Sequence, residues 1–238
     1  AIFLAVLIVA PTLAAAEPNW PGEPVDNHIY MSWAALTQEL NDWSNDNPDI
    51  VMFSSIGQSY LGKELWMIVL SDWSMETKPD GSAKEIIYID GGHHGNEYLG
   101  TALAWLTAKW YINGWNAQNE EAINVLQSTE LHIMIMLNPD GNDADTRHNL
   151  NLTTAANPFV SEPVPTGIDL NRNYDHFWDD CSPSDPFAPG SGPFSEPETR
   201  ANANYMNSVV QDADLYVTMH TGVWIMLYPW GKWPEQPP

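Results

Sequence analysis

His94 and Glu97 stand three residues apart in Asp90-Gly-Gly-His-His-Gly-Asn-Glu97, and a third candidate donor, His220, follows far downstream. An imidazole nitrogen and a carboxylate oxygen are both zinc donors. A catalytic zinc uses three protein ligands and keeps one position for water. The H-x-x-E pair alone does not separate a metal site from a turn in which Glu97 caps the helix that follows. His93 is a second candidate imidazole, at the wider H-x-x-x-E spacing. His28, His132, His148 and His176 show no ligand-like spacing and read as ordinary histidines.

These residues need elements to hold them. Residues 85–90 (EIIYID) read as a short apolar strand that runs straight into Gly91-Gly92, and residues 215–219 as another that delivers His220 at its end. Ligands in open α/β sheets bind at the carboxyl ends of strands. Upstream, Trp33, Leu36, Leu40 and Trp43 recur at helical spacing, which predicts a helix over 31–45 stopped by Pro48. Strands are expected over 50–56 and 65–70, around the turn Tyr60-Leu61-Gly62-Lys63. Residues 99–112 and 120–126 read as helices, and 131–137 as a buried central strand. Residues 138–166 are rich in Asn, Asp and Pro and read as a long loop, of a length that is usually functional or disordered. A helix is expected over 196–210, with Ser195 as its N-cap and Glu198 three residues on, followed by a last strand over 223–228. The alternation predicts an α/β fold, a mixed and largely parallel twisted β-sheet sandwiched by helices.

The 238 residues suffice for one core, and 44% apolar and 11% aromatic content excludes a disordered chain. Thirty-one acidic against 8 basic residues give a formal charge of −23. Such a surface repels nucleic acid and anionic membranes, so neither is an expected partner. The single cysteine, Cys181, cannot form a disulfide within the chain. It reads as a small buried residue or as half of a bridge to a partner outside these residues. Residues 2–10 (IFLAVLIVA) are wholly apolar, and Ala14-Ala15-Ala16 fits a small-x-small cleavage site, so 1–16 reads as a signal-peptide remnant. The run is too short for stable membrane insertion, and the chain is expected to be secreted. Residues 17–29 read as an acidic, Pro-rich linker. The sequon Asn151-Leu152-Thr153 is compatible with export.

Further blocks follow in order: Asn138-Pro139-Asp140-Gly141, Gly167-Ile168-Asp169-Leu170-Asn171-Arg172-Asn173, Ser195-Glu196-Pro197-Glu198-Thr199, His220-Thr221-Gly222 and Leu227-Tyr228-Pro229-Trp230-Gly231. With Tyr30, the turn around Gly62-Lys63 and the Trp66 strand, they resemble the zinc carboxypeptidases of the carboxypeptidase A/B type. The resemblance implies one Zn2+ held by His94, Glu97 and His220, with Asp169 orienting the first histidine. It implies that Asn171 and Arg172 grip the C-terminal carboxylate of a peptide or protein substrate. It also implies that Arg147, in a loop less basic than the family's, polarises the scissile carbonyl. The protein is expected to be a monomer. The family's general-base glutamate and lid tyrosine lie beyond the Tyr-Pro-x-Gly block, and Glu235, in a Pro-rich tail, does not qualify as the base. Residues 30–238 therefore read as an incomplete catalytic domain, cut at both ends, and the chain alone is expected to show little or no peptidase activity. Two alternatives stay open: a metallohydrolase of cell-wall peptides or acyl-amino acids, and a catalytically dead zinc-binding module.

Overall fold

The computed structural model describes residues 30–152, 167–176, 178, 188–222 and 226–227. The signal remnant, the linker, Cys181 and most of the strand expected over 223–228 lie outside the described residues.

Helix α1 (Trp33–Asp46) starts where the Ser32 hydroxyl accepts a hydrogen bond from the Ala35 amide, and it buries Leu36 and Leu40. Strands β1 (Val51–Gln58) and β2 (Glu64–Leu70) form a hairpin around the Gly62 turn. Strand β3 (Glu85–Gly91) leads into α2 (Tyr98–Asn116), α3 (Glu120–Ser128) and β4 (Thr129–Met134). After the short helix α4 (Pro139–Asp143) come a 3-10 turn (Leu170–Arg172), helix α5 (Pro197–Ser208) and strand β5 (Leu215–Met219).

The strand order is β1-β2-β4-β3-β5. Pairs β1/β2 and β2/β4 are antiparallel, while β4/β3 and β3/β5 are parallel. The sheet is mixed, and its parallel half carries the candidate ligands. One face packs Ile68, Leu70, Ile89, Leu131 and Ile133 against Leu36 and Leu40 of α1, Ala104, Ala108 and Ile112 of α2 and Leu126 of α3. The other face sets Leu65, Met67, Tyr88 and Met134 against Ala201 of α5 and Leu170. Successive strand residues point to opposite faces, so this alternation builds the sandwich. Each fully buried Leu or Ile contributes about 1.5–3 kcal/mol of transfer free energy.

The fold departs from the sequence reading in three places. The apolar run after β4 leaves the ladder at Met134, although Ile135, Met136 and Leu137 stay buried. There the chain pairs with the β3 exit loop instead, as the Leu137 amide donates to Gly91 O at 3.1 Å and the Asn138 amide to Gly92 O at 2.9 Å. The loop expected from residue 138 opens with α4, because Asn138 caps it by accepting from the Gly141 amide at 2.9 Å and Pro139 needs no hydrogen-bond acceptor in the first turn. Ser195 is not the cap of α5. Glu196 occupies that position without a side-chain capping bond, and Asn173 ties this end of the helix down from outside it. Its Oδ1 accepts from the Glu196 amide at 3.1 Å and from the Thr199 hydroxyl at 2.6 Å.

Candidate metal centre

Two glycines let β3, α2 and β5 meet closely enough to form the site. Gly92 has φ +72°, in the left-handed region, and a Cβ there would stand 2.8 Å from Thr101 Oγ1. This turn swings the chain off β3 into the His93-His94 loop. A Cβ on Gly100, in the first turn of α2, would come within 2.5 Å of Met219 O, so the helix seats directly on the end of β5. Met219 lies opposite Gly91 in the parallel β3/β5 register, and His220 therefore leaves the sheet beside the loop.

The three candidate ligands converge. His94 Nδ1 is 2.7 Å from Glu97 Oε1. His220 Nδ1 is 3.0 Å from Glu97 Oε2 and 3.2 Å from His94 Nδ1. One donor atom from each of the three lies within 4.8 Å of the others. Donors around a tetrahedral zinc with bonds near 2.0–2.1 Å stand about 3.3 Å apart, so the set fits that ion in both spacing and chemistry. Glu97 does precede α2, but its side chain makes no capping bond and is turned to the imidazoles. His93 faces elsewhere, with Nε2 2.9 Å from the Tyr174 hydroxyl and Nδ1 3.3 Å from Asp90 Oδ1.

Asp169 stands behind His94, 3.0 Å from its Nε2. A carboxylate at Nε2 holds the proton there and leaves the Nδ1 lone pair facing Glu97 and His220. Arg147 bridges the same groups, donating from Nε to Asp169 Oδ2 and from Nη1 to Glu97 Oε1, both at 3.0 Å. Burial raises the Glu97 carboxyl, but hydrogen bonds from His220, His94 and the Thr221 amide hold it well below the usual carboxylate range. Burial acts likewise on Asp169, yet His94, Arg147 and Arg172 bring it down to about 2. Burial lowers His94, and Asp169 and Glu97 outweigh that and raise it. The low-lying Glu97 carboxyl and the imidazole nitrogens it faces form the donor set that a divalent cation would use.

Asn171 and Arg172 lie on the 3-10 turn that Asp169 caps, with Asp169 Oδ1 accepting from the Asn171 amide at 2.9 Å. Asn171 is exposed. Arg172 is partly exposed and donates from Nη1 to Asn171 O at 3.1 Å.

The other blocks act as scaffold. The Tyr60 amide donates to Glu198 Oε1 at 2.8 Å, and the Leu61 amide to Asp140 Oδ2 at 2.9 Å. Lys63 Nζ donates to Asp143 Oδ2 at 2.7 Å. Asn149, two residues after Arg147, donates from Nδ2 to Glu196 Oε2 at 2.8 Å and accepts the Ile168 amide at 3.0 Å. Burial, with Glu196 nearby, pushes the Glu198 carboxyl up to about 7 against the bonds from Tyr60 and Asn149. Sequence reasoning missed Glu196, Glu198 and Asn149 as a buried polar cluster. It also missed the chain linking Asp90, His93, Tyr174 and Asn202. The available signal was acids and amides placed beside apolar strands and short turns, where a polar group needs a buried partner.

The sequence profile of the zinc carboxypeptidases (peptidase M14) matches residues 36–238. Carboxypeptidase B of Astacus astacus is 26% identical over 211 residues, which cover 84% of this chain and 66% of that protein. A zinc carboxypeptidase of Saccharothrix mutabilis subsp. capreolus is 31% identical over 152 residues, 64% of this chain and 34% of that protein. The crystal structure of thrombin activatable fibrinolysis inhibitor superposes with a TM-score of 0.65 at 25% identity, over 79% of this chain and 46% of that one. The chain spans between about a third and two thirds of the length of these curated relatives. Family profile, relatives and fold agree: the chain belongs to the zinc carboxypeptidase family, peptidase M14.

Proposed function

We propose that this chain carries the zinc centre and substrate grip of a secreted, monomeric exopeptidase that removes C-terminal residues from peptides and proteins. The observation that carries the reading is the convergence of His94 Nδ1, the Glu97 carboxylate and His220 Nδ1, with Asp169 on the far nitrogen of His94. When bound, zinc would supply Lewis-acid polarisation of a carbonyl and would lower the pKa of bound water toward about 7. His94, Glu97 and His220 would hold the ion. Asp169 fixes the His94 tautomer and turns its Nδ1 inward. Arg147, anchored to Glu97 and Asp169, offers a guanidinium where negative charge develops on the scissile carbonyl oxygen.

Arg172 supplies a planar fork suited to two hydrogen bonds with a carboxylate, and Asn171 adds a neutral donor beside it. A site that reads a free carboxylate cleaves at chain ends, which favours an exopeptidase over an endopeptidase. We assign the general base, on resemblance, to a glutamate beyond Gly231. The apolar run over 2–10 and the Ala14–Ala16 site support export, and no helix among the described residues is long and apolar enough to cross a membrane.

The test compares peptides bearing a free or an amidated C-terminus, using the intact zinc-loaded gene product. Release of the terminal residue from the free peptide only, with KM raised by Arg172→Ala, is the expected result. Equal cleavage of both peptides would refute the exopeptidase reading.

A further inference from the structure

The metal centre leaves one buried imidazole unused. His93 is only 2% exposed, and its two nitrogens face Tyr174 and Asp90 on opposite sides, Nε2 within a hydrogen bond and Nδ1 in a longer polar contact. Nε2 meets the Tyr174 hydroxyl at 2.9 Å, and Nδ1 stands 3.3 Å from Asp90 Oδ1. Both anchors are themselves fixed. Asp90 Oδ2 accepts from the Tyr216 hydroxyl at 2.8 Å. The Tyr174 hydroxyl accepts from Asn202 Nδ2 at 2.8 Å, and Asn202 Oδ1 accepts from the Tyr88 hydroxyl. The His93 ring is therefore held by groups rooted in β3, β5, α5 and the segment after Arg172.

His220 packs against this ring. The two centroids are 5.5 Å apart and the planes 29° from parallel, a stacked arrangement. The candidate ligands are secured differently. His94 has Asp169 behind it, whereas the hydrogen-bond and ring partners of the His220 side chain among the described residues are His94, Glu97 and His93. Among the described residues His220 follows β5, whose recorded strand partner is β3. Of its three partners, His94 and Glu97 are fellow ligands, which leaves His93 as the fixed surface outside the metal set.

We propose that His93 is a positioning residue, a pinned aromatic plate that sets the orientation of the His220 ring so that its Nδ1 faces His94 and Glu97 before the ion arrives. This rests on the metal-centre reading above. The part played by a carboxylate behind His94 is then played by a ring face at His220. Contacts that orient a ligand from behind commonly set metal affinity by about 10- to 100-fold.

Two substitutions separate the ring from its polar anchors. His93→Phe keeps a flat face and loses both polar contacts. His93→Gln keeps polar groups for Asp90 and Tyr174 and loses the ring. Zinc affinity of the 238-residue chain is measured by competition with a chromogenic chelator, beside the parent and His220→Ala. Coordination is read from the visible spectrum of the Co2+ derivative. We expect His93→Phe to hold zinc within about threefold of the parent with a parent-like Co2+ spectrum, and His93→Gln to bind about tenfold more weakly with an altered spectrum. If the glutamine variant fails to fold, His93→Leu replaces it, with the same loss expected. Parent-like affinity in the glutamine or leucine variant would overturn the proposal, as would a phenylalanine variant as weak as either. A parent that binds no zinc would sink the metal-centre reading and this inference together; a zinc-binding parent with unaffected variants would sink the inference alone.

Discussion

Glu198→Gln should remove a pH-dependent destabilisation built into the scaffold of the site. Glu198 is fully buried at the start of α5, and its carboxyl is pushed from the ordinary 4.5 up to about 7, chiefly by burial. The sign follows from proton counting. Below pH 4.5 the group is neutral in both the folded and the unfolded chain and costs nothing. Between pH 4.5 and about 7 the folded chain holds more protons than the unfolded one, so stability falls as pH rises. Above pH 7 the group is charged in both states and the destabilisation is complete. At 1.36 kcal/mol for each pH unit separating the two pKa values, it reaches about 3 kcal/mol. Glutamine carries no charge at any of these pH values. It keeps an oxygen for the Tyr60 amide but turns an NH2 toward Asn149 Nδ2, a fixed loss of about 1 kcal/mol. Urea unfolding of the metal-free parent and variant from pH 4.5 to 8 measures the difference. The variant should gain about 3 kcal/mol on the parent across that range. A difference that stays flat with pH would refute the reasoning.

Gly100→Ala places a methyl group 2.5 Å from Met219 O, so β5 must shift away from α2. Chemical denaturation should show a loss of about 1–3 kcal/mol, and zinc affinity should fall with it as His220 moves. A stable variant with parent-like zinc binding would show that α2 does not position β5. Asp169→Asn leaves the shape of the side chain but removes the charge behind His94, and the zinc dissociation constant should rise about 10- to 100-fold by chelator competition. An unchanged constant would remove Asp169 from the ligand-orienting role.

The parts of the fold set by periodicity were legible in the sequence. β5 falls on the expected 215–219, and β3 and α2 fall within a residue or so at their starts, because alternating apolar residues and flanking glycines mark them. Strand ends made His94, Glu97 and His220 candidates, and the resemblance carried by the ordered blocks joined them as one ligand set. The rest depended on long-range partners that local pattern does not name. The run 131–137 is uniformly apolar, and nothing within it says that Leu137 pairs with Gly91 rather than with β2. Ser195 looks like a cap, yet Asn173 reaches Glu196 and Thr199 from over twenty residues upstream. His93 and His94 are adjacent and chemically alike. Only the turn at Gly92 directs one to Glu97 and the other to Asp90 and Tyr174.

The most direct test of the account is zinc stoichiometry of the 238-residue chain by equilibrium dialysis with metal analysis. The parent should hold one zinc per chain, while His94→Ala and His220→Ala, each shown folded by circular dichroism, should hold it at least about 100-fold more weakly. Parent-like zinc binding in both variants would contradict the assignment of the site.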